Sequence, residues 1–365
     1  MRILFISRRD LDHPLAGGSE VLVDRLAREL VDRGHQVELL CGGPVKPRTY
    51  GTTTSGGAYS HYAQVPLHYL RRHRRADVVV DVVNGMPYFS PLWRRRPSIC
   101  LVNHVHTDQW ADWFPAPVAA LGRAIERRAF PMAYRRNLVM AVSGSTATNL
   151  AGMGFSPERI RVVHNGVDVT DDPPAKSNEP LFVAVGRLVP YKRYDVLLRL
   201  WEQVRPLTGG RLVIAGDGPE LARLRGLAGA DVSLPGWISV EDKESLFQRG
   251  WLLLHPSEVE GWGLVVMEAA TWETPTIGFD VRGVRDSVVD GHSGLLVGSA
   301  DEMAEAWVKL ATDECARHTL GRNARQRAAG YSWSRTVDGF LDVVREVVDG
   351  ERAVGAPVGS ASRRE

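Results

Sequence analysis

The chain has 365 residues, 44% hydrophobic and 24% charged, and its 45 Lys and Arg against 43 Asp and Glu leave a net charge of +2. One core rarely grows past about 250–300 residues, so two domains are expected. The even charge balance excludes a charge-driven nucleic-acid binder, and no apolar run approaches the ~18 residues of a membrane-spanning helix.

The start, MRILFISRRD, is too short and too soon charged for a secretory leader. Cys41, Cys100 and Cys315 are far apart and form no disulfide or metal framework, so a reducing cytoplasm is expected. Arg2–Ser7 reads as a buried strand and Glu20–Arg33 as a helix with its apolar stripe at Val21, Leu22, Leu26 and Leu30. With the strand Gln36–Cys41 they make a βαβ unit, which should be parallel and right-handed. Gly17 and Gly18 sit where the loop becomes the helix, with Ser19 as N-cap. They are a candidate phosphate seat at the positive helix end, or a plain capped glycine loop. The turn is not GxGxxG, so a nicotinamide-binding domain is not supported.

Thr49–Ser60 is polar and Gly-rich and reads as a mobile loop, either shaping an acceptor site or merely covering the surface. The strands Asp77–Val83 and Ser98–Asn103 follow, the second running into His104 and His106 at the edge where α/β sheets carry ligands. Two histidines without a third ligand make a weak zinc case. The basic stretch 117–136 reads as one amphipathic helix, with Val118, Leu121, Ile125 and Phe130 facing one way and Arg123, Arg127 and Arg128 the other. It packs on its own sheet or docks peripherally on anionic lipid. Asn137–Ser143 and Arg161–His164 close the first set of strands, and Asp171–Pro180 is a hinge by composition.

The strand Leu181–Val185 leads into a loop holding Arg187 and Lys192, then the helix Tyr194–Val204. A guanidinium fork and an ammonium on one loop could clamp a diphosphate; standing alone they would read as surface charge. Arg211–Ala215 runs into Gly216, and Val232–Leu234 into Trp237 and Ile238. The buried strand Gly250–Leu254 then opens the stretch His255–Gly278, a loop followed by a helix from about Gly263. Glu260 and Glu268 bracket that turn, eight positions apart. Glu268 is the lone charge among Val265, Val266, Met267, Ala269 and Ala270, and an acid in so apolar a helix needs a partner. Strands at Thr276–Phe279 and Gly294–Val297 and three helices complete the chain.

EVEGWGLVVMEA resembles the E-x7-E motif of retaining glycosyltransferases of family 4, which have the GT-B fold. GRLVPYKR, the IAGDGP turn and HNGVD resemble further segments of that family, in the family's order. The resemblance implies an α/β GT-B protein with two Rossmann-like domains facing a cleft. Residues 1–170 would form the acceptor domain and 171–335 the donor domain. A crossover helix over 336–350 would pack back on the first domain, ahead of a disordered tail over 351–365. It implies transfer of a hexose from a nucleotide-diphosphate sugar to an acceptor hydroxyl with retention, without cofactor or metal. A UDP-sugar is favoured, with GDP-mannose as the alternative, and the acceptor is a glycan, a lipid or a small metabolite.

By the same resemblance Arg187 and Lys192 meet the diphosphate, with Gly17 and Gly18 opposite, and Glu268 holds the ribose. Glu260 and His106 lie by the donor sugar, with His104 the alternative to His106. Gly216 lies near the nucleotide and Ile238 beside the base. Gly261, Trp262, Gly263, Leu264 and Val265 complete the cradle, Trp262 replacing the family's Phe as an aromatic wall. Two other readings stand beside it: a GT-B sugar-nucleotide epimerase, and a non-catalytic nucleotide-sugar-binding protein. Asp10-Leu11-Asp12 is a formal DxD, but two acids alone are not a metal site.

Overall fold

The computed structural model describes residues 1–355 except Leu15, Ala58, Arg95 and Pro173. It contains two wholly parallel sheets. The first holds β1 (Arg2–Ser7), β2 (Gln36–Cys41), β3 (Gly51–Thr54), β4 (Val78–Val83), β5 (Ser98–Val102), β6 (Leu138–Ala141) and β7 (Ile160–Val162), in the order β3-β2-β1-β4-β5-β6-β7. The second holds β8 (Leu181–Val185), β9 (Arg211–Ala215), β10 (Val232–Gly236), β11 (Leu252–His255), β12 (Thr276–Phe279) and β13 (Gly294–Val297), in the order β10-β9-β8-β11-β12-β13. Strand order reverses beside β1 in one sheet and beside β8 in the other, and ligands of such sheets bind beyond the strands' carboxyl ends at that switch. The central strands are buried apolar runs, interrupted in β4 by Asp81, because helices cover both faces.

Four expectations are corrected. Gly51–Thr54 is no mobile loop: its threonines suit an extended edge, and it pairs in register with Glu38–Cys41 as the seventh strand. The first helix spans Gly18–Asp32 with Gly17, not Ser19, at its N-cap. Ser19 Oγ instead accepts from the amides of Asn84 (3.3 Å) and Asn103 (3.0 Å). The stretch 117–136 is not one regular helix. It runs as Ala116–Ala124, a π-helical turn over Ile125–Ala129 and Phe130–Tyr134, where Pro131 has no N–H to give the ladder. The last helix begins at Trp333 and runs to Gly355, so the first residues of the expected disordered tail are helical; 356–365 lie outside the described residues.

That helix crosses back to the first sheet. Val337, Phe340, Leu341 and Val344 share one core with Ile3, Phe5, Leu22 and Leu26, and Phe340 stacks on Phe5 at 5.6 Å. Gly166 makes the crossing close, since a Cβ there would lie 2.3 Å from the Trp333 nitrogen. The two sheets therefore turn their carboxyl edges toward each other across a cleft of about 1390 Å³. Among the described residues no helix is long and apolar enough to cross a membrane.

Candidate active site

The C-terminal wall of the cleft is built from strand ends of the second sheet. After β8 the chain passes Gly186 into a 3-10 turn over Pro190–Lys192, which sets Arg187 and Lys192 over the cleft. Arg187 Nη2 donates to Tyr191 Oη at 2.8 Å, which orients the guanidinium and leaves its other donors available. Lys192 Nζ pairs with Glu260 Oε2, and His255 Nε2 lies 3.2 Å from the same oxygen. Burial alone would push the Glu260 carboxyl up; the Lys192 charge and the His255 hydrogen bond outweigh it and hold the group well below the usual range. Glu260 is therefore a fixed anion with lone pairs to spare for hydroxyls.

Gly261 touches the opposite wall: a Cβ there would lie 2.3 Å from the Asn103 carbonyl oxygen. Thr146 Oγ1 bridges the contact, donating to Asn103 O (3.1 Å) with Gly261 O at 3.5 Å. Gly263 takes φ +80 at the N-cap of the helix Leu264–Thr271, a conformation L side chains rarely adopt, and so turns the loop into the helix. The free first-turn amides of that helix border the cleft at Leu264 and Val265. Glu268, one turn on, finds the partner its apolar setting demands in Lys243, 2.7 Å away.

Trp262, expected as an aromatic wall, borders the cleft with most of its ring turned into the core. It is 2% exposed, and its ring stacks on His164 at 4.4 Å and against Tyr331 at 5.0 Å. It is a core residue of the crossing between the two halves, at the rim of the cleft. Gly216 and Ile238 border the cleft at the ends of β9 and β10, with Trp237 beside them 74% exposed.

The N-terminal wall brings in Gly17, Gly18 and the histidine loop. Gly17 faces Arg187 so closely that a Cβ would sit 3.2 Å from its Nε, so the glycine leaves room for the guanidinium. His104 and His106 stack at 3.9 Å. Burial lowers both: His104 to about 4, against the hydrogen bond its Nε2 donates to Gln109 Oε1, which raises it, and His106 well below 6.5, helped by the neighbouring His104 and Arg187. Both are neutral near pH 7. Glu126, carried inward by the π-helical turn, accepts from the His106 N–H (2.7 Å), Thr107 Oγ1 (3.0 Å) and Trp110 Nε1 (3.0 Å). His106 Nδ1 is buried and has no hydrogen-bond partner among the described residues.

Sequence reasoning missed Glu126 and Lys243. They stand 20 and 25 positions from the groups they hold, and no local spacing announces such pairs. It also missed what holds the DxD acids. Arg48, 7% exposed, grips Asp10 with Nε (3.1 Å) and Nη2 (2.9 Å), Asp12 with Nη2 (2.7 Å) and Asp24 with Nη1 (3.1 Å). The acids are consumed in holding the β1 loop.

Residues 169–327 match the family model described as glycosyl transferases group 1, and residues 16–171 that of glycosyltransferase family 4. The chain is 28% identical to a D-inositol 3-phosphate glycosyltransferase of Stackebrandtia nassauensis, over 96% of this chain and 91% of that protein. It is 32% identical to the alpha-D-kanosaminyltransferase of Streptomyces kanamyceticus, over 47% of this chain and 46% of that one. Among solved structures it superposes on a sucrose-phosphate synthase of Thermosynechococcus elongatus with TM-score 0.82, at 19% identity, covering 96% of this chain and 99% of that one. Anabaena HepE, solved in complex with UDP and glucose, gives 0.78 at 18% identity, covering 95% and 100%. At that identity the likeness is one of fold, and the fold is GT-B.

Proposed function

Because the chain belongs to the group 1 glycosyl transferases of family 4, we propose that it is a retaining hexosyltransferase using a UDP-sugar. The observation that carries the reading is one cleft in which Arg187, Lys192, Glu260, Glu268, Gly17 and His106 converge from the edges of both sheets. The UDP complex of HepE supports the choice of base. In this reading residues 1–170 are the acceptor domain, 171–332 the donor domain and the helix from Trp333 the crossover.

The donor diphosphate lies between Arg187 and Lys192 on one side and the Gly17–Gly18 amides on the other. The two cations, rather than a metal ion, meet the charge that grows on the leaving diphosphate as the sugar–phosphate bond breaks. Glu268, steadied by Lys243, accepts from the ribose hydroxyls. Glu260, held ionised, accepts from the sugar hydroxyls and keeps the anomeric carbon in place. His106, neutral at pH 7, offers an uncharged ring nitrogen to the sugar. The acceptor oxygen bonds to the anomeric carbon on the face the phosphate leaves, its proton passes to the departing phosphate oxygen, and nucleoside diphosphate is the second product. No protein nucleophile is required.

Thermal unfolding with UDP, GDP, ADP and their sugar conjugates tests the donor. A ligand at 100 times its Kd adds about 2.7 kcal/mol of stability, and Arg187→Ala should abolish the shift. NMR of the product's anomeric proton reads retention. An inverted linkage, or rearrangement of the donor sugar without any acceptor, would overturn the mechanism.

A further inference from the structure

Donor binding accounts for the charged wall and leaves the facing one unexplained. Tyr59, Trp110, Trp113, Phe114, Val118 and Leu121 line the same cavity. Tyr59, Trp113, Val118 and Leu121 are between 45% and 65% exposed. The rings brace one another, Tyr59 against Phe114 at 6.4 Å and Trp110 against Phe114 at 5.6 Å. The helix Ala116–Ala124 backs onto Trp110 through Gly122, where a Cβ would strike the indole at 2.3 Å. Ala119 and Gly122 are thus turned inward, and Val118 and Leu121 are left outward, over the cleft. An exposed apolar surface continuous with a polar pocket marks a binding site.

Resting on the glycosyl-transfer reading, we propose that the acceptor is an amphiphile. Its hydroxyl-bearing head lies by His106, and an attached alkyl or aryl group lies on the shelf of Tyr59, Trp113, Phe114, Val118 and Leu121. The Arg8 guanidinium, 5.4 Å over the Tyr59 ring, closes the polar end. The cleft of about 1390 Å³ exceeds the roughly 300–1,000 Å³ of a single small-ligand pocket and holds donor and acceptor together. A wholly polar acceptor would leave these side chains wet. Stacked sugar rings would explain the aromatics but not the exposed valine and leucine.

The test is calorimetric titration of the UDP-loaded protein with methyl β-glucoside, octyl β-glucoside below its micelle concentration, and maltotriose. Octyl glucoside should bind at least about tenfold tighter than the methyl glycoside, since each buried methylene contributes several-fold. Leu121→Asp and Trp113→Ser should each remove most of that preference and leave the UDP affinity unchanged. Leu121 is 62% and Trp113 45% exposed, so both variants should fold. Equal binding of the two glucosides, tighter binding of maltotriose, or a preference that survives both substitutions overturns the shelf. If the wild type binds none of UDP, GDP and ADP, the glycosyl-transfer reading fails, and the octyl-to-methyl comparison on the nucleotide-free protein still decides the shelf. Repeating the titration with the octyl glycoside in phosphatidylglycerol vesicles separates the sources. Stronger binding there assigns a lipid-borne acceptor, unchanged or weaker binding a soluble one, and both uphold the shelf.

Discussion

On the C-terminal wall of the cleft the charged groups proposed to meet the donor already have a charged or hydrogen-bonding neighbour: Lys192 and His255 with Glu260, Lys243 with Glu268, Arg187 with Tyr191. On the facing wall the histidines are neutral, the rings are exposed, and the order comes from buried acids behind the surface, Glu126 under the histidine loop and Asp10 and Asp24 under the β1 loop. The difference follows from the two tasks proposed for the walls. A diphosphate needs fixed charge with little reorganisation, whereas an acceptor needs shape and a dry surface. One wall is preorganised at the ligand's surface, the other from beneath it.

Four substitutions or titrations would break or sharpen that contrast. Arg48→Ala should have the largest effect, because it strands Asp10, 1% exposed, without a cation among the described residues, while Asp24 keeps Arg28. Losing one partner of a buried ion pair costs about 3–5 kcal/mol, readable by denaturant unfolding. A loss below about 1 kcal/mol would mean that the loop is not held from beneath. Lys192→Ala should lower kcat for nucleoside diphosphate release by about 10²–10³, with a smaller loss of stability than Arg48→Ala because His255 still hydrogen-bonds Glu260. An unchanged kcat would remove Lys192 from the charge clamp.

The pH dependence of stability comes next. His104 titrates at about 4 in the folded chain and near 6.5 when unfolded. As pH falls the unfolded chain takes up the proton first. The stability present above pH 6.5 is therefore lost between 6.5 and about 4, by about 1–3 kcal/mol. His106 is shifted in the same direction. Glu260 has a depressed carboxyl, so its contribution is present above its unfolded value near 4.5 and is lost only further down. His104→Gln should flatten the upper part of the slope, and a slope identical to wild type would show that the pair is not buried in solution. The smallest effect is expected for Glu126→Gln. It keeps the shape but weakens the acceptor that fixes the His106 amide, and should lower kcat about tenfold with the donor KM unchanged. A rise in KM alone would place Glu126 in binding rather than in positioning the loop.

Much of this was written in the chain. The apolar strand runs at Phe5, Val80, Val183 and Leu253 dictate parallel sheets buried on both faces, because such runs have no face to give to water. The C-terminal wall was legible too, since Arg187 and Lys192 share one loop and Glu260 and Glu268 one turn, so their spacing survives folding. What only the tertiary structure decided depends on groups far apart in the chain. Lys243 meets Glu268 and Glu126 meets His106 through packing. Trp262 borders the cleft, but most of its ring is drawn into the interdomain core by His164 and Tyr331. Leu121 faces outward because Gly122 must back onto Trp110. Local sequence fixes period and turn chemistry, but which face of a helix finds a neighbour, and which buried acid finds a donor, is settled only when the whole chain is packed.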